Sequence, residues 1–581
     1  MRRAQNLKSH KRYRIVTEEK AGGATYTPSN LANFVAQQIA ELADLSSSKI
    51  QVLDPAIGDG ELLLSLLTHL TQRAGATIAV YGFETNPLAL AQAQQRIRSS
   101  FPKAELHLER GNFLDFVLEQ PTDSRTPSLF AARITPLNFD IIIANPPYVR
   151  TQIMGSEQAQ SLAGAFGLSG RVDLYHAFLI GMAQVLKPTG IAGIIVSNRF
   201  MTTKGGAALR AALRERFHLR HIWDLGDTKL FDAAVLPAVI LATGRNGQGV
   251  GGPPAFSSIY ETQDAAACEA LDAVAALSMT GVAALKDGRR FRVDHGVLDT
   301  RGSAHDLWRI ATKTTDAWLA TVAKHTVHTF RDIGKIRVGV KTCADQVFVR
   351  SDWHTMPDSQ RPELLRPLTT HHVAGRFRAV PPTKARAILY PHESTGGVRR
   401  PVDLSHYPNS RAYLEVNRAT LEHRTYVLEA GRRWYEIWVP QDPAAWESPK
   451  LVFRDIAEQP AFWLDLDGTI VNGDCYWLTP ERRDRDELLW LAAAVGNSTF
   501  IEVFYDRRFN NKLYAGRRRF ITQYVELFPL PDPTSRLARM IIAIAKEIYA
   551  NLGNSKASAL EAKLDLMIWQ AFGLSIEEVS R

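Results

Sequence analysis

Residues 140–148 read Asp-Ile-Ile-Ile-Ala-Asn-Pro-Pro-Tyr, and this stretch constrains the fold more than any other. Four consecutive apolar residues read as a buried strand. It must stop at Asn145, because proline cannot continue a central strand and restricts the residue before it. The corner that follows is rigid, first polar and then aromatic. Asn145 offers a side-chain carbonyl, Pro146 and Pro147 fix the path of the next backbone carbonyls, and Tyr148 offers a flat face. Such a corner can grip a planar amino group. The same letters also suit a proline turn with a buried tyrosine, so the rest of the chain has to decide.

The segments before it repeat a strand and helix alternation. Tyr26-Thr27-Pro28 opens a helical pattern from Ser29 to about Leu45, in which Thr27 alone reads as a helix start. Lys49 to Asp54 is a strand, Pro55 to Gly60 a glycine-containing turn, and Glu61 to Leu70 an apolar helix. That turn lets backbone approach a ligand at the carboxyl edge of a parallel sheet. It is not a Gly-x-Gly-x-x-Gly turn, and without a following Lys-Ser/Thr it is no phosphate loop. The strand Thr77 to Phe83 ends at Glu84, where a ribose diol would find a two-oxygen acceptor or where a solvated carboxylate would simply sit. After the strand Glu105 to Glu109, Asn112 and Phe113 pair a polar group with an aromatic that could bracket an adenine ring. The opening motif ends the fourth strand. This alternation implies an open α/β sheet with its ligand in the crevice along one edge.

Beyond Tyr148, residues 151–170 read as a mobile lid. A helix follows over Val172 to Leu186, then a strand over Ile191 to Ser197, a helix near Gly205 to Phe217 and strands at Arg220 to Leu225 and Leu236 to Thr243. Phe231, before the last of these, is a core phenylalanine by default and otherwise a second aromatic at the crevice. Gly244 to Pro254 is rich in glycine and proline and reads as a linker. The expected division is therefore a basic arm over 1–25, a catalytic domain over 26–246, a linker over 247–254, a second region over 255–533 and a helical segment over 534–581.

Taken in order, Thr27-Pro28, Asp54-Pro-Ala-Ile-Gly-Asp-Gly60, Glu84, Asn112-Phe113, Asn145-Pro-Pro-Tyr148 and Phe231 resemble the gamma-class, TaqI-type adenine-N6 DNA methyltransferases of type II restriction-modification systems. The resemblance covers nearly the whole chain. It implies a Rossmann-like S-adenosylmethionine-dependent methyltransferase sheet followed by a C-terminal α+β DNA target-recognition domain. It implies that Thr27 and the turn with Asp54, Ala56, Gly58 and Gly60 hold the methionine part of S-adenosylmethionine, Glu84 the ribose, and Asn112 with Phe113 the adenine. Members of the family often carry Asp where Asn112 stands. Asn145, Pro146 and Tyr148 are then the catalytic residues, Asn145 also bordering the cofactor, with Tyr148 and Phe231 stacking on a target adenine turned out of the duplex.

After the linker, aromatic and basic residues interleave at Arg432-Arg433-Trp434-Tyr435 and again over Phe504 to Phe520, which contains Arg507, Arg508, Lys512, Arg517 and Arg518. These are the candidate DNA contacts, against the alternative of a solvated charged surface. The resemblance to the target-recognition region extends to Trp434-Tyr435, Gly496-Asn497-Ser498 and Phe528-Pro-Leu-Pro531. A formal charge of +9 suits a polyanionic partner. The three cysteines, Cys268, Cys343 and Cys475, are too scattered for a ligand pair or a disulfide framework, and no carboxylates cluster as a metal site would need. No apolar run reaches membrane-spanning length and no export signal follows the basic N-terminus. The sequence thus points to a cytoplasmic, monomeric enzyme acting on double-stranded DNA, paired with a separate cognate restriction endonuclease. The alternatives are methyltransferases of RNA bases or of a protein glutamine, a fused nuclease-methyltransferase, and a DNA-binding protein on a non-catalytic scaffold of the same kind.

Overall fold

The computed structural model describes residues 26–73, 75–119, 137–148, 156–168, 173–231, 236–245, 252–300, 307–482, 486–509, 517–553 and 555–575. The basic arm, Lys512 and parts of the expected lid and linker lie outside these. The chain divides into two compact units, Met1–Thr312 and Lys313–Arg581.

The first unit is built on one mixed sheet, twelve-stranded among the described residues, in the order β3-β2-β1-β4-β5-β7-β6-β8-β11-β10-β9, with β12 beside β11. Its strands are β1 (Lys49–Asp54), β2 (Thr77–Glu84), β3 (Glu105–Arg110), β4 (Phe139–Ala144), β5 (Leu186–Ser197), β6 (Phe217–Asp224), β7 (Pro237–Gly244), β8 (Ala255–Glu261), β9 (Cys268–Ala270), β10 (Gly281–Leu285), β11 (Arg290–Asp299) and β12 (Arg309–Ala311). Neighbours from β3 to β5 run parallel, and β7 is antiparallel to both β5 and β6.

The apolar run in β4 is continuous because both faces are covered. Ile141 and Ile143 join one core, with Val52, Val80, Leu66 and Ile97. Ile142 and Ala144 join the other, with Phe113, Phe178 and Leu213. Successive side chains of a strand point to opposite faces, so a strand buried on both sides carries no polar alternation. Helices Ser29–Leu42, Glu61–Thr71 and Pro87–Ser100 cover the first face, and Phe113–Glu119, Leu174–Val185 and Ala207–Arg216 the second.

Two expectations change. The division of the chain falls at Thr312, not at the glycine-rich stretch near 247–254. β8 pairs in parallel with β6, from His221↔Ala255 to Asp224↔Ser258, and β11 pairs with β8, so residues after that stretch extend the sheet. Hydrogen bonding to an open edge outweighs the composition of the connection. Within the expected lid, residues Ser156–Ala165 form a helix, and Ala163, Phe166 and Leu168 are buried in the second core. Small residues in the sequence masked that helix.

The second unit combines small sheets with helices. A four-stranded antiparallel sheet, Ile336–Val338, Cys475–Leu478, Lys450–Arg454 and Phe462–Asp465, carries the fully buried Trp463 and Trp477. Helices Arg536–Ala550 and Ser555–Ala571 end the described chain. Among the described residues no single helix is long and apolar enough to cross a membrane.

Candidate functional site

The carboxyl ends of β1, β2 and β4 bring the expected residues to one edge of the first unit. Register fixes this. Asp54, the last residue of β1, pairs with Gly82 near the end of β2, and Ala144, just before Asn145, pairs with Ile194 of β5.

Asp54 is fully buried. Its Oδ1 accepts from the Ala56 backbone N–H at 3.0 Å, while Oδ2 has no partner. Burial pushes its carboxyl up to about 7, with the negative charges of Glu84 and Asp59 adding to the effect. The turn that follows takes left-handed backbone at Gly58 (φ 55°) and Gly60 (φ 84°). Its approach to β2 is tight: a Cβ on Gly82 would lie 2.5 Å from Ile57 Cδ1. Glycine at position 82 is therefore what lets the turn sit over the second strand. Glu84 closes the turn from β2, its Oε2 accepting from the Gly58 N–H at 3.0 Å and its Oε1 from the Asn86 N–H at 2.8 Å.

Asn145 sits at the end of β4, half-buried, and its Nδ2 donates to Thr27 Oγ1 at 2.9 Å. Thr27, 9% exposed, does not cap the helix that follows, whose N-cap is Pro28. The Tyr148 hydroxyl donates to Asn145 Oδ1 at 3.0 Å. Burial raises the Tyr148 phenol well above its ordinary range. Tyr175 stands edge-on to it at 6.0 Å, and His176 beside Tyr175 is pushed down to about 4 by burial.

Three expected residues are placed differently. Asn112 Oδ1 accepts from the Leu114 N–H at 3.1 Å, which makes it the cap of the helix Phe113–Glu119. Phe113 is 0% exposed, its ring among Phe83, Phe116 and Phe178, with no open face for a ligand. Phe231 is 7% exposed in the first core, whereas Tyr148 packs against the second, and no ring contact joins them among the described residues. The default reading of Phe231 as a core residue is the one that holds.

Residues 79–231 match the family described as Eco57I restriction-modification methylase. The chain is 36% identical to the type II methyltransferase M.BanIII of Aneurinibacillus aneurinilyticus over 576 residues, covering 96% of this chain and 98% of that protein. The chain belongs to the type II restriction-modification methyltransferases. It is also 24% identical to the type II methyltransferase M.PaeR7I of Pseudomonas aeruginosa, over 97% of this chain and 93% of that one. Among solved structures, a cryoEM DrdV–DNA complex shares the fold at a TM-score of 0.51 and 12% identity, covering 92% of this chain and 57% of that one.

In this type II methyltransferase the basic clusters of the second unit are largely engaged within the protein. Arg432 donates to the Trp438 carbonyl at 2.6 Å and lies over the Trp438 ring, while Arg433 donates to the Tyr435 hydroxyl at 2.7 Å. Trp434 lies under the Arg418 guanidinium. Arg518 forms a two-pronged pair with Asp506 at 2.9 Å and donates to the Glu458 carbonyl. Arg507 covers the ring of Trp318. Arg508 belongs to the helix Thr499–Phe509, and Arg517 is exposed. Asn497 is buried, accepting from the Phe462 N–H and donating to the Phe462 carbonyl, and so acts as an extra rung of backbone pairing.

The same methyltransferase holds one site residue that no motif marks. Arg96, in the helix Pro87–Ser100, donates to the Asp59 carbonyl at 2.8 Å and pairs with the Asp59 and Glu61 carboxylates at 3.0 and 2.6 Å. Ala93 of the same helix packs under Gly60, where an added Cβ would meet it at 3.1 Å. The helix thus braces the turn from outside. Tyr26, 58% exposed, lies over Gly58 from the other side.

Proposed function

We propose that the chain transfers a methyl group from S-adenosylmethionine to the N6 amino group of an adenine turned out of duplex DNA, as a gamma-class enzyme. The observation that carries this reading is the fixed Asn145 carboxamide. With its nitrogen donating to Thr27 and its oxygen accepting from the Tyr148 hydroxyl, the carboxamide has its oxygen's second lone pair to offer a substrate amine. An aromatic amine has a lone pair delocalised into its ring. Two acceptors, Asn145 Oδ1 and the Pro146 carbonyl, would accept hydrogen bonds from its two N–H groups and localise that pair for in-line attack. No covalent enzyme intermediate is required.

The donor set along the sheet edge fits the cofactor. S-adenosylmethionine supplies an electrophilic methyl group on a sulfonium. The unpartnered Asp54 Oδ2 suits its ammonium, the backbone of residues 56–60 its carboxylate, and Glu84 its ribose hydroxyls. Asn112, with its oxygen held by the helix it caps, has its Nδ2 left to offer, which suits a ring nitrogen of adenine better than its exocyclic amine.

Tyr148 is the stacking surface. Burial keeps its phenol protonated, so it serves as a face and a donor and not as a base. Stacking of a base on an aromatic side chain contributes roughly 1–3 kcal/mol, against the few kcal/mol needed to extrude a paired base. Phe231 is left as a core residue, and the amino proton goes to water after methyl transfer.

Duplex DNA is favoured over RNA or protein as substrate because similarity to M.BanIII runs through both units rather than the first alone. On this reading the second unit recognises the target sequence. The cytoplasmic, monomeric enzyme protects that site from a separate cognate endonuclease. Incubation with labelled cofactor and DNA, RNA or release factor, followed by sequencing of modified bases, tests it. N6-methyladenine at one recurring DNA site is expected; label confined to RNA or protein overturns it.

A further inference from the structure

We infer that duplex DNA is gripped at one corner of the unit Lys313–Arg581, where Arg454 and Arg386 converge with His371 and His372. The inference rests on the proposed DNA substrate and adds a surface outside the two aromatic and basic runs read from the sequence, one that takes in Arg386 of the basic stretch Arg376 to Arg400.

The corner is assembled from separate segments. Arg454 ends the strand Lys450–Arg454 and pairs across the ladder with Cys475. Asp474, one residue earlier, binds the His371 ring, and His371 in turn lies against His372 with ring centroids 3.9 Å apart. The Asn472 N–H donates to the Thr369 carbonyl at 2.9 Å, fastening the two segments together. Arg386 opens a neighbouring strand, Arg386–Leu389. All these groups feel one another: His371 first, then burial and the charges of Arg386 and Arg454, lower the His372 imidazole, with Asp474 opposing. The nearby acids are engaged in part: Asp474 Oδ2 holds His371 while its buried Oδ1 has no hydrogen-bond partner, and Asp455 pairs with Arg519 at 3.1 Å.

Arg454 distinguishes this corner. Its guanidinium makes no hydrogen bond or ion pair among the described residues, and its Nε is shut off from solvent without a partner. What sets Arg454 apart is that its solvent-facing terminal nitrogens have no partner either, so the free protein leaves them to be met by water or by a ligand. Two arginines of the clusters read from the sequence, and one outside them, Arg424, behave in the opposite way. Arg432 and Arg518 are spent on backbone carbonyls and carboxylates, and the buried Arg424 donates to the carbonyls of Leu421, Thr342, Glu436 and Trp434. A guanidinium held by its stem, with its two terminal nitrogens uncommitted, is a preformed fork for phosphate oxygens or for the acceptor edge of guanine. Flanking cations extend it along a polyanion.

The test uses the full chain, a duplex carrying the site it methylates, and fluorescence anisotropy at several salt concentrations. Arg454→Ala is expected to weaken duplex binding about 10-fold or more, and Arg454→Ala with Arg386→Ala to lower the slope of log Kd against log salt by about one to two. Binding of S-adenosylmethionine and the thermal midpoint should stay at wild-type values. Arg386 is exposed and its side chain makes no hydrogen bond or ion pair among the described residues, so Arg386→Ala alone gives a reading that folding defects cannot mimic. Wild-type affinity and salt slope in all three variants would overturn the surface while leaving the methyl-transfer reading intact. A wild-type chain that methylates no DNA would instead refute that reading, and the surface with it.

Discussion

The Asn145 carboxamide nitrogen donates to the Thr27 hydroxyl at 2.9 Å, joining residues 118 positions apart. The corner after β4 is therefore set by a group from the first described turn of the chain and not by its own prolines alone. Thr27→Val keeps the shape and removes the acceptor, taking away one of the bonds that orient the carboxamide while the Tyr148 hydroxyl still holds its oxygen. Methyl transfer should fall roughly 10–100-fold in kcat, while the thermal midpoint stays near wild type. Single-turnover kinetics with labelled cofactor measure this; an unchanged rate would show that the bond has no part in orienting Asn145.

Asn145→Ala removes the acceptor itself. Loss of one preorganised polar group at a reacting centre lowers kcat by about 10²-fold or more. Cofactor affinity, measured by titration calorimetry, should change far less, because the turn from Asp54 to Gly60 is untouched.

Asp54 gives a pH dependence with a definite sign. Its folded-state pKa is raised to about 7 from 3.8, so the folded chain holds that proton more tightly than the unfolded one. The associated stability is fully present below about pH 4 and is lost as pH rises towards 7 and just above. Without cofactor, wild-type stability in urea should fall between pH 5 and pH 8 by more than that of Asp54→Asn, which keeps the acceptor for Ala56 but cannot ionise. Parallel curves for the two proteins would rule out Asp54 as the source.

Arg96→Ala should raise the KM for S-adenosylmethionine by about 10-fold with kcat at saturation little changed, since Arg96 touches only the outside of the turn. Arg96→Lys, able to keep one of the contacts, should recover part of the loss. A fall in kcat with unaltered KM would contradict a bracing role.

Arg424→Ala leaves four backbone carbonyls of the second unit without their donor. A destabilisation of about 3 kcal/mol is expected, readable as a lower urea midpoint. Methyl transfer should persist wherever the protein remains folded.

What could be read in the sequence, and what could not, follows from how local each signal is. The parallel strands and the corner at Asn145 were legible because apolar runs, proline and glycine act on their immediate neighbours. Asp54 and Glu84 reached the same edge because strand length and crossover helices fix where strands end. Phe231 and Phe113 were misplaced because an aromatic letter carries no sign of which face will cover it, and only packing decides. Asn112 was read for its hydrogen-bonding capacity, yet the helix after it claimed its oxygen first. Arg96 left no trace, since its partners stand 35 and 37 residues away on another element. In the second unit, runs of arginine and tryptophan gave the appearance of a nucleic-acid surface, while Arg432, Arg433, Arg507 and Arg518 were engaged with the protein's own carbonyls, hydroxyls, rings and carboxylates.

The pairing of β8 onto β6 also decides where this polypeptide can be cut. A fragment ending in the glycine-rich stretch would strip β8 and everything beyond it from the sheet, baring the backbone donors and acceptors of β6 from His221 to Asp224. A naked strand margin of that kind invites pairing with another copy, and the product would be sticky rather than merely inactive. A fragment carried through to Thr312 keeps that margin closed. Anyone seeking to divide the protein into separately expressed halves, or to graft a different second unit onto the first, should place the junction there.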